Sequence, residues 1–146
     1  MNKITVLHSY TDNAPFEIEL ELQNQIAELA TIKGCLIRRI NMGSKGYIKF
    51  AKWKSQHVIG ESRKPIWVTK GIPDLELLTP EGITIAIDVK MPNSAKTPDK
   101  LLKSLRKEQA VYLVEVANRK GFGVVCNSFT EFNKFINGSQ VLWEKE

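Results

Sequence analysis

The spacing of apolar positions changes several times along this chain, and each change marks an element. From Pro15 to about Lys33, the apolar residues Ile18, Leu22, Ile26 and Leu29 recur at intervals of three and four. That spacing keeps them on one face of an α-helix, with Asn13 to cap its start and Gly34 its end. "CLIRRI" (35–40) reads as a strand and "NMGSKG" after it as turn chemistry. Two apolar runs then flank Pro80-Glu81-Gly82 in "KGIPDLELLTPEGITIAIDVK" (70–90). Further on, Leu102, Leu105, Tyr112 and Val116 predict a helix ending at Gly121, and "FGVVC" (122–126) a short buried strand. Ser128 and Glu131 have capping-box spacing for a last helix ending near Gly138. Residues 1–13 pattern weakly, as a short strand or a loose arm. This order predicts a mixed α/β domain whose central sheet is covered by helices. At 146 residues the chain is one domain, 1–146, with a basic insertion at about 41–70.

The hairpin places the chemistry. With a three-residue loop at Pro80-Glu81-Gly82, Thr79 pairs with Ile83, Glu76 with Ala86, and Asp74 with Asp88. Alternation then puts Asp74, Asp88 and Lys90 on one face and Leu75, Leu77, Ile85, Ile87 and Val89 on the other. Opposed carboxylates repel and raise each other's pKa, so something must compensate. A hard divalent cation held by oxygen ligands does so, and so does an ion-paired cluster built on Lys90. Glu19 lies beside the apolar stripe of the first helix and can reach over the sheet, with Glu21 the second choice. Gln109 interrupts the later stripe, either as a half-buried amide facing the sheet or as a marginal residue bonding backbone.

Charge adds a partner class. Twenty-one Lys plus Arg against sixteen Asp plus Glu give a net charge of +5, which favours a polyanionic partner. Arg38, Arg39, Lys45, Lys49, Lys52, Lys54, Arg63, Lys64 and Lys70 share one stretch with a single acid, Glu61, and with interleaved Tyr47, Phe50, Trp53 and Trp67. It reads as an ordinary solvated hairpin or as a phosphate-tracking surface with aromatic stacking. Cys35, Cys126, His8 and His57 assemble no zinc-ligand spacing. No apolar run of membrane length and no signal pattern stand out, so the expectation is a cytoplasmic protein.

Taken together, Glu19, Gly71-Ile72-Pro73-Asp74, Asp88-Val89-Lys90 and Gln109 resemble the P-D-(D/E)-x-K nuclease superfamily. Within it the chain resembles the virus-type replication–repair nuclease (VRR-NUC) family through "ELQNQIAEL", "KG", "RRIN", "GIPDLELL", "IAIDVK" and a Gln twelve residues before "GFGVV". The likeness spans roughly 16–135. It implies a restriction-endonuclease-like core and Mg²⁺- or Mn²⁺-dependent phosphodiester hydrolysis. Asp74, Asp88 and Val89 would hold metal, with Glu19 contributing a carboxylate directly or through water. Lys90 would orient and polarise the attacking water, and Gln109 would support Lys90 or the phosphate. Relatives of this size resemble Holliday-junction resolvases, implying branched DNA as partner, a homodimer and no small-molecule cofactor. The family more commonly has Glu where this chain has Asp88. Two other accounts remain beside this one: a nucleic-acid-binding module without catalysis, and a restriction-type sequence-specific nuclease.

Overall fold

The computed structural model describes residues 3–12, 19–39 and 71–145. Five strands, β1 (Ile4–Leu7), β2 (Leu36–Arg39), β3 (Leu75–Leu78), β4 (Thr84–Val89) and β5 (Phe122–Cys126), form one sheet in the order β1-β5-β4-β3-β2. β1, β5 and β4 run parallel, whereas β4, β3 and β2 are joined antiparallel. Four helices complete the described chain: α1 (Glu19–Ile32), α2 (Pro98–Lys103), α3 (Lys107–Asn118) and α4 (Phe129–Lys145). The mixed α/β architecture expected from the element order is present. Residues 1–13 contribute the edge strand β1, which pairs with β5 from Ile4↔Gly123 to Leu7↔Cys126.

Local chemistry explains most boundaries. At the end of α1 the Gly34 and Cys35 N–H groups donate back to the carbonyls of Thr31 and Ala30, each at 3.0 Å, closing the helix where Gly34 predicts. The β3–β4 turn has the expected register: Thr79 N–H donates to Ile83 O at 2.9 Å, and Leu78 faces Thr84. Gly82 takes φ +86°, the left-handed conformation that a three-residue hairpin loop requires of its last position. Ser128 Oγ accepts from Glu131 N at 3.1 Å, so half of the expected capping box forms, while the Glu131 carboxylate turns to Lys134.

Two expectations need correction. The single helix before Gly121 is two helices, because the chain turns at Ser104–Arg106 and restarts with Arg106 in an extended conformation. Its buried stripe is accordingly Leu101, Leu105, Gln109 and Leu113, with Leu102, Tyr112 and Val116 at the margin. The last helix also continues through Gly138 to Lys145. Asn13, "NMGSKG" and the insertion at about 41–70 lie outside the described residues.

Both sheet faces are core. On one, Leu75, Leu77, Ile85, Ile87 and Val89 pack under Leu22 and Ile26 of α1 and Phe132 and Ile136 of α4. On the other, Ile4, Ala86 and Val125 pack under Leu101 of α2, Leu105 of the α2–α3 junction and Leu113 of α3. Each large side chain so buried contributes about 1.5–3 kcal/mol. Asp88 lies near the end of β4, close to where this packing stops. No helix among the described residues is long and apolar enough to cross a membrane.

Candidate active site

The hairpin register, carried one step past the Leu75↔Ile87 pair, sets Asp74 beside Asp88. Asp74 is fastened there, since its Oδ2 accepts from the Val89 N–H at 2.8 Å. Asp88 has no accessible surface, and among the described residues neither of its carboxylate oxygens makes a hydrogen bond of good geometry, although the Asp74 backbone N–H lies near enough to favour its charged form. Its pKa rises from the ordinary 3.8 to about 7. Burial is the main cause and repulsion from Asp74 the second, with Lys90, the Asp74 backbone N–H and Arg106 pulling the other way.

Lys90 follows directly on β4, and its N–H donates to Cys126 O at 2.8 Å, so the ladder to β5 fixes its backbone. Glu19 opens α1 on the opposite side of the sheet and stands at the same rim. Partial burial, then the charge on Asp74, raises its pKa, and Lys90 opposes both. Glu21 is exposed, whereas Glu19 is half-buried. Among the described residues no three His, Cys, Asp or Glu side chains gather closely enough to form a ready metal cage. The acids thus form a tight pair, Asp74 and Asp88, with Glu19 coupled through its field.

Gln109 is buried, as its place in the stripe suggests, but its Oε1 accepts from the Arg106 N–H at 2.9 Å. The amide oxygen caps α3, so of the two readings of Gln109 the backbone-bonding one is realised. The first turn of α3 also touches the loop that carries Asp74. A Cβ on Gly71, whose φ is +80°, would lie 2.2 Å from Glu108 O and 2.7 Å from Gln109 N. The glycine of "GIPD" is thus needed for the close approach of helix and loop.

Arg38 and Arg39 occupy successive positions of β2 and so project to opposite faces. Arg38 pairs with Glu76, whose other oxygen accepts from Tyr112 Oη at 3.2 Å, while Arg39 Nη2 donates to Asn24 Oδ1 at 2.7 Å on α1. They do not make one continuous contact surface. Lys45, Lys49, Lys52, Lys54, Arg63, Lys64 and Lys70 lie outside the described residues. His8 is not a ligand, because its Nε2 donates to Ala95 O at 2.6 Å. Arg106 is the residue the sequence reading missed: an exposed guanidinium whose charge is felt by Asp88. Its only advance signal was a cation three residues before Gln109.

A sheet of this topology with acids at the centre defines a restriction-endonuclease-like α/β fold. Within that class the chain has the fold of a VRR_NUC domain. It resembles a solved structure described by that name with a TM-score of 0.50 and 20% identity, over 82% of this chain and 94% of the other. At that identity the likeness is one of fold. No family model matches the chain, and no curated protein does.

The donor set fits a metal. A buried carboxylate with both oxygens unpartnered, beside a second carboxylate, offers only hard oxygen ligands, which suit Mg²⁺ or Mn²⁺.

Proposed function

We propose that this protein is a metal-dependent nuclease that hydrolyses phosphodiester bonds in branched DNA, acting in the cytoplasm as a homodimer. The observation that carries the reading is the unpartnered, buried Asp88 carboxylate set against Asp74, with Lys90 two positions further along the same strand. Such a pair is costly for a fold to keep. It gains a purpose when a cation and a phosphate enter.

Asp74 and Asp88, with Val89 and Glu19 completing the set, would hold Mg²⁺ or Mn²⁺, which when bound would supply a lowered pKa for water and a positive charge against the phosphate. Lys90 supplies a donor and a positive charge beside the acids, orienting the attacking water and favouring its deprotonated form. The oxygen of water bonds to phosphorus, the bond to the leaving oxygen breaks, and a proton returns to that oxygen. The products are a phosphomonoester and a hydroxyl. Gly71 and the Gln109 Oε1 hold the loop and the helix in register, and the Gln109 amide nitrogen supports Lys90 or the phosphate.

Incubation of the purified protein with four-way junctions, flaps, linear duplexes and supercoiled plasmid, with Mg²⁺ or with EDTA, tests the reading. Cleavage of branched substrates in Mg²⁺ alone is expected, and Asp74→Ala and Lys90→Ala should abolish it while leaving DNA binding largely intact. Metal-dependent cutting by Lys90→Ala at the wild-type rate would remove that residue from the chemistry. DNA binding with no cleavage in either metal would identify a binding module instead.

A further inference from the structure

The strand that carries Asp88 and Lys90 continues into a second basic stretch, separate from residues 38–70. Between Lys96 and Lys107 there are five cations, Lys96, Lys100, Lys103, Arg106 and Lys107, and one acid, Asp99. All five cations are exposed, while Leu101 and Leu105 between them are buried against the sheet. The apolar anchors therefore fix α2 and the α2–α3 junction with their charged side outward. Only Lys103 is neutralised locally, through a 3.4 Å pair with Asp99. The other four have no ion pair with another described residue.

Position gives this charge a direction. The stretch begins a few residues after Lys90 and ends on the first turn of α3, whose backbone presses on Gly71 of the Asp74 loop. We infer that Lys96, Lys100, Arg106 and Lys107 form a phosphate-binding ridge that leads the DNA backbone onto the Asp74–Asp88 pair. Arg106 is its inner end, capping the helix whose first turn presses on Gly71 of the Asp74 loop. Even with the exposed Glu108 counted beside Lys107, the stretch carries five cations against two acids on two short helical segments, where like charges repel. A polyanion crossing the rim relieves that repulsion. The inference rests on the nuclease reading for its choice of DNA.

The experiment measures binding of a fluorescent four-way junction by anisotropy, in EDTA, across a salt series. Lys96→Ala/Lys100→Ala/Lys107→Ala should bind at least about tenfold more weakly, with the slope of log affinity against log salt shallower by about two to three. Replacing the same three lysines with Arg should restore the slope. Lys134→Ala, on α4 beneath the opposite sheet face, should bind as the wild type does. An unchanged slope in the triple Ala variant overturns the ridge, as does an equal loss in Lys134→Ala. The two readings fail separately. A wild type that cuts DNA while the triple Ala variant keeps its slope sinks the ridge alone, and a shallower slope in a protein that cuts no DNA sinks hydrolysis alone.

Discussion

Asp88→Asn isolates the electrostatic cost of the buried acid. In the folded chain Asp88 titrates at about 7, against the ordinary 3.8. The folded state therefore holds a proton on Asp88 that the unfolded state has already released. Stability from this group is complete below about pH 4 and is lost as pH rises through about 7. With the values about three pH units apart, the full loss is about 4 kcal/mol, more than half of it between about pH 5 and pH 8. Asparagine carries no such dependence. Urea unfolding in EDTA at these two pH values should show the wild type losing about 2–3 kcal/mol more than Asp88→Asn. Mg²⁺ at about a hundredfold its dissociation constant should then add about 2.7 kcal/mol to the wild type at about pH 8 and much less to the variant. Parallel stability curves for the two proteins in EDTA would refute the premise that Asp88 is an uncompensated buried carboxylate.

Gly71→Ala forces both a left-handed backbone and a clash with the α3 carbonyl of Glu108, and should cost at least about 3 kcal/mol in urea unfolding. A loss below about 1 kcal/mol would mean that helix and loop are not in contact. Ile26→Ala empties a fully buried position beneath the sheet, and should cost about 2–5 kcal/mol by the same assay, with surface-like tolerance as the contrary result. Burial pushes the Cys126 thiol up to about 12, and its Sγ donates to Ser128 O at 3.3 Å. Its native-state reaction with a disulfide reagent should be at least about a hundredfold slower than in urea; prompt native labelling of Cys126, located by peptide mapping, would contradict its burial.

The hairpin was legible because its information is local. One loop length and a two-residue period fix every pair from Leu78↔Thr84 to Leu75↔Ile87, and with them the meeting of Asp74 and Asp88. The greater burial of Glu19 than of Glu21 was legible for a similar reason, since a helix stripe tells which glutamate borders it. The break between α2 and α3 was not. Ser104-Leu105-Arg106 holds neither Gly nor Pro, and the restart depends on Gln109 reaching back to the Arg106 N–H. A Thr97-Pro98 start signal was available for α2, where Thr97 Oγ1 accepts from Lys100 N at 3.1 Å, but an apolar stripe continuous from Leu101 to Leu113 masks a second start. The role of Gly71 depends on a contact between segments 37 residues apart in sequence, Gly71 and Glu108, and no periodicity encodes it. Asp88's lack of partners is likewise a property of the packed helices above it.

The pairing of Arg39 with Leu75 has a consequence for how such a protein can diversify. The chain leaves the sheet and returns to it at neighbouring points of the same border, one residue from Asp74. Lengthening, trimming or replacing the segment between those two points leaves the ladder from β3 to β5, and the backbone that carries Asp74 and Asp88, untouched. The two strands thus tolerate grafting at that single doorway.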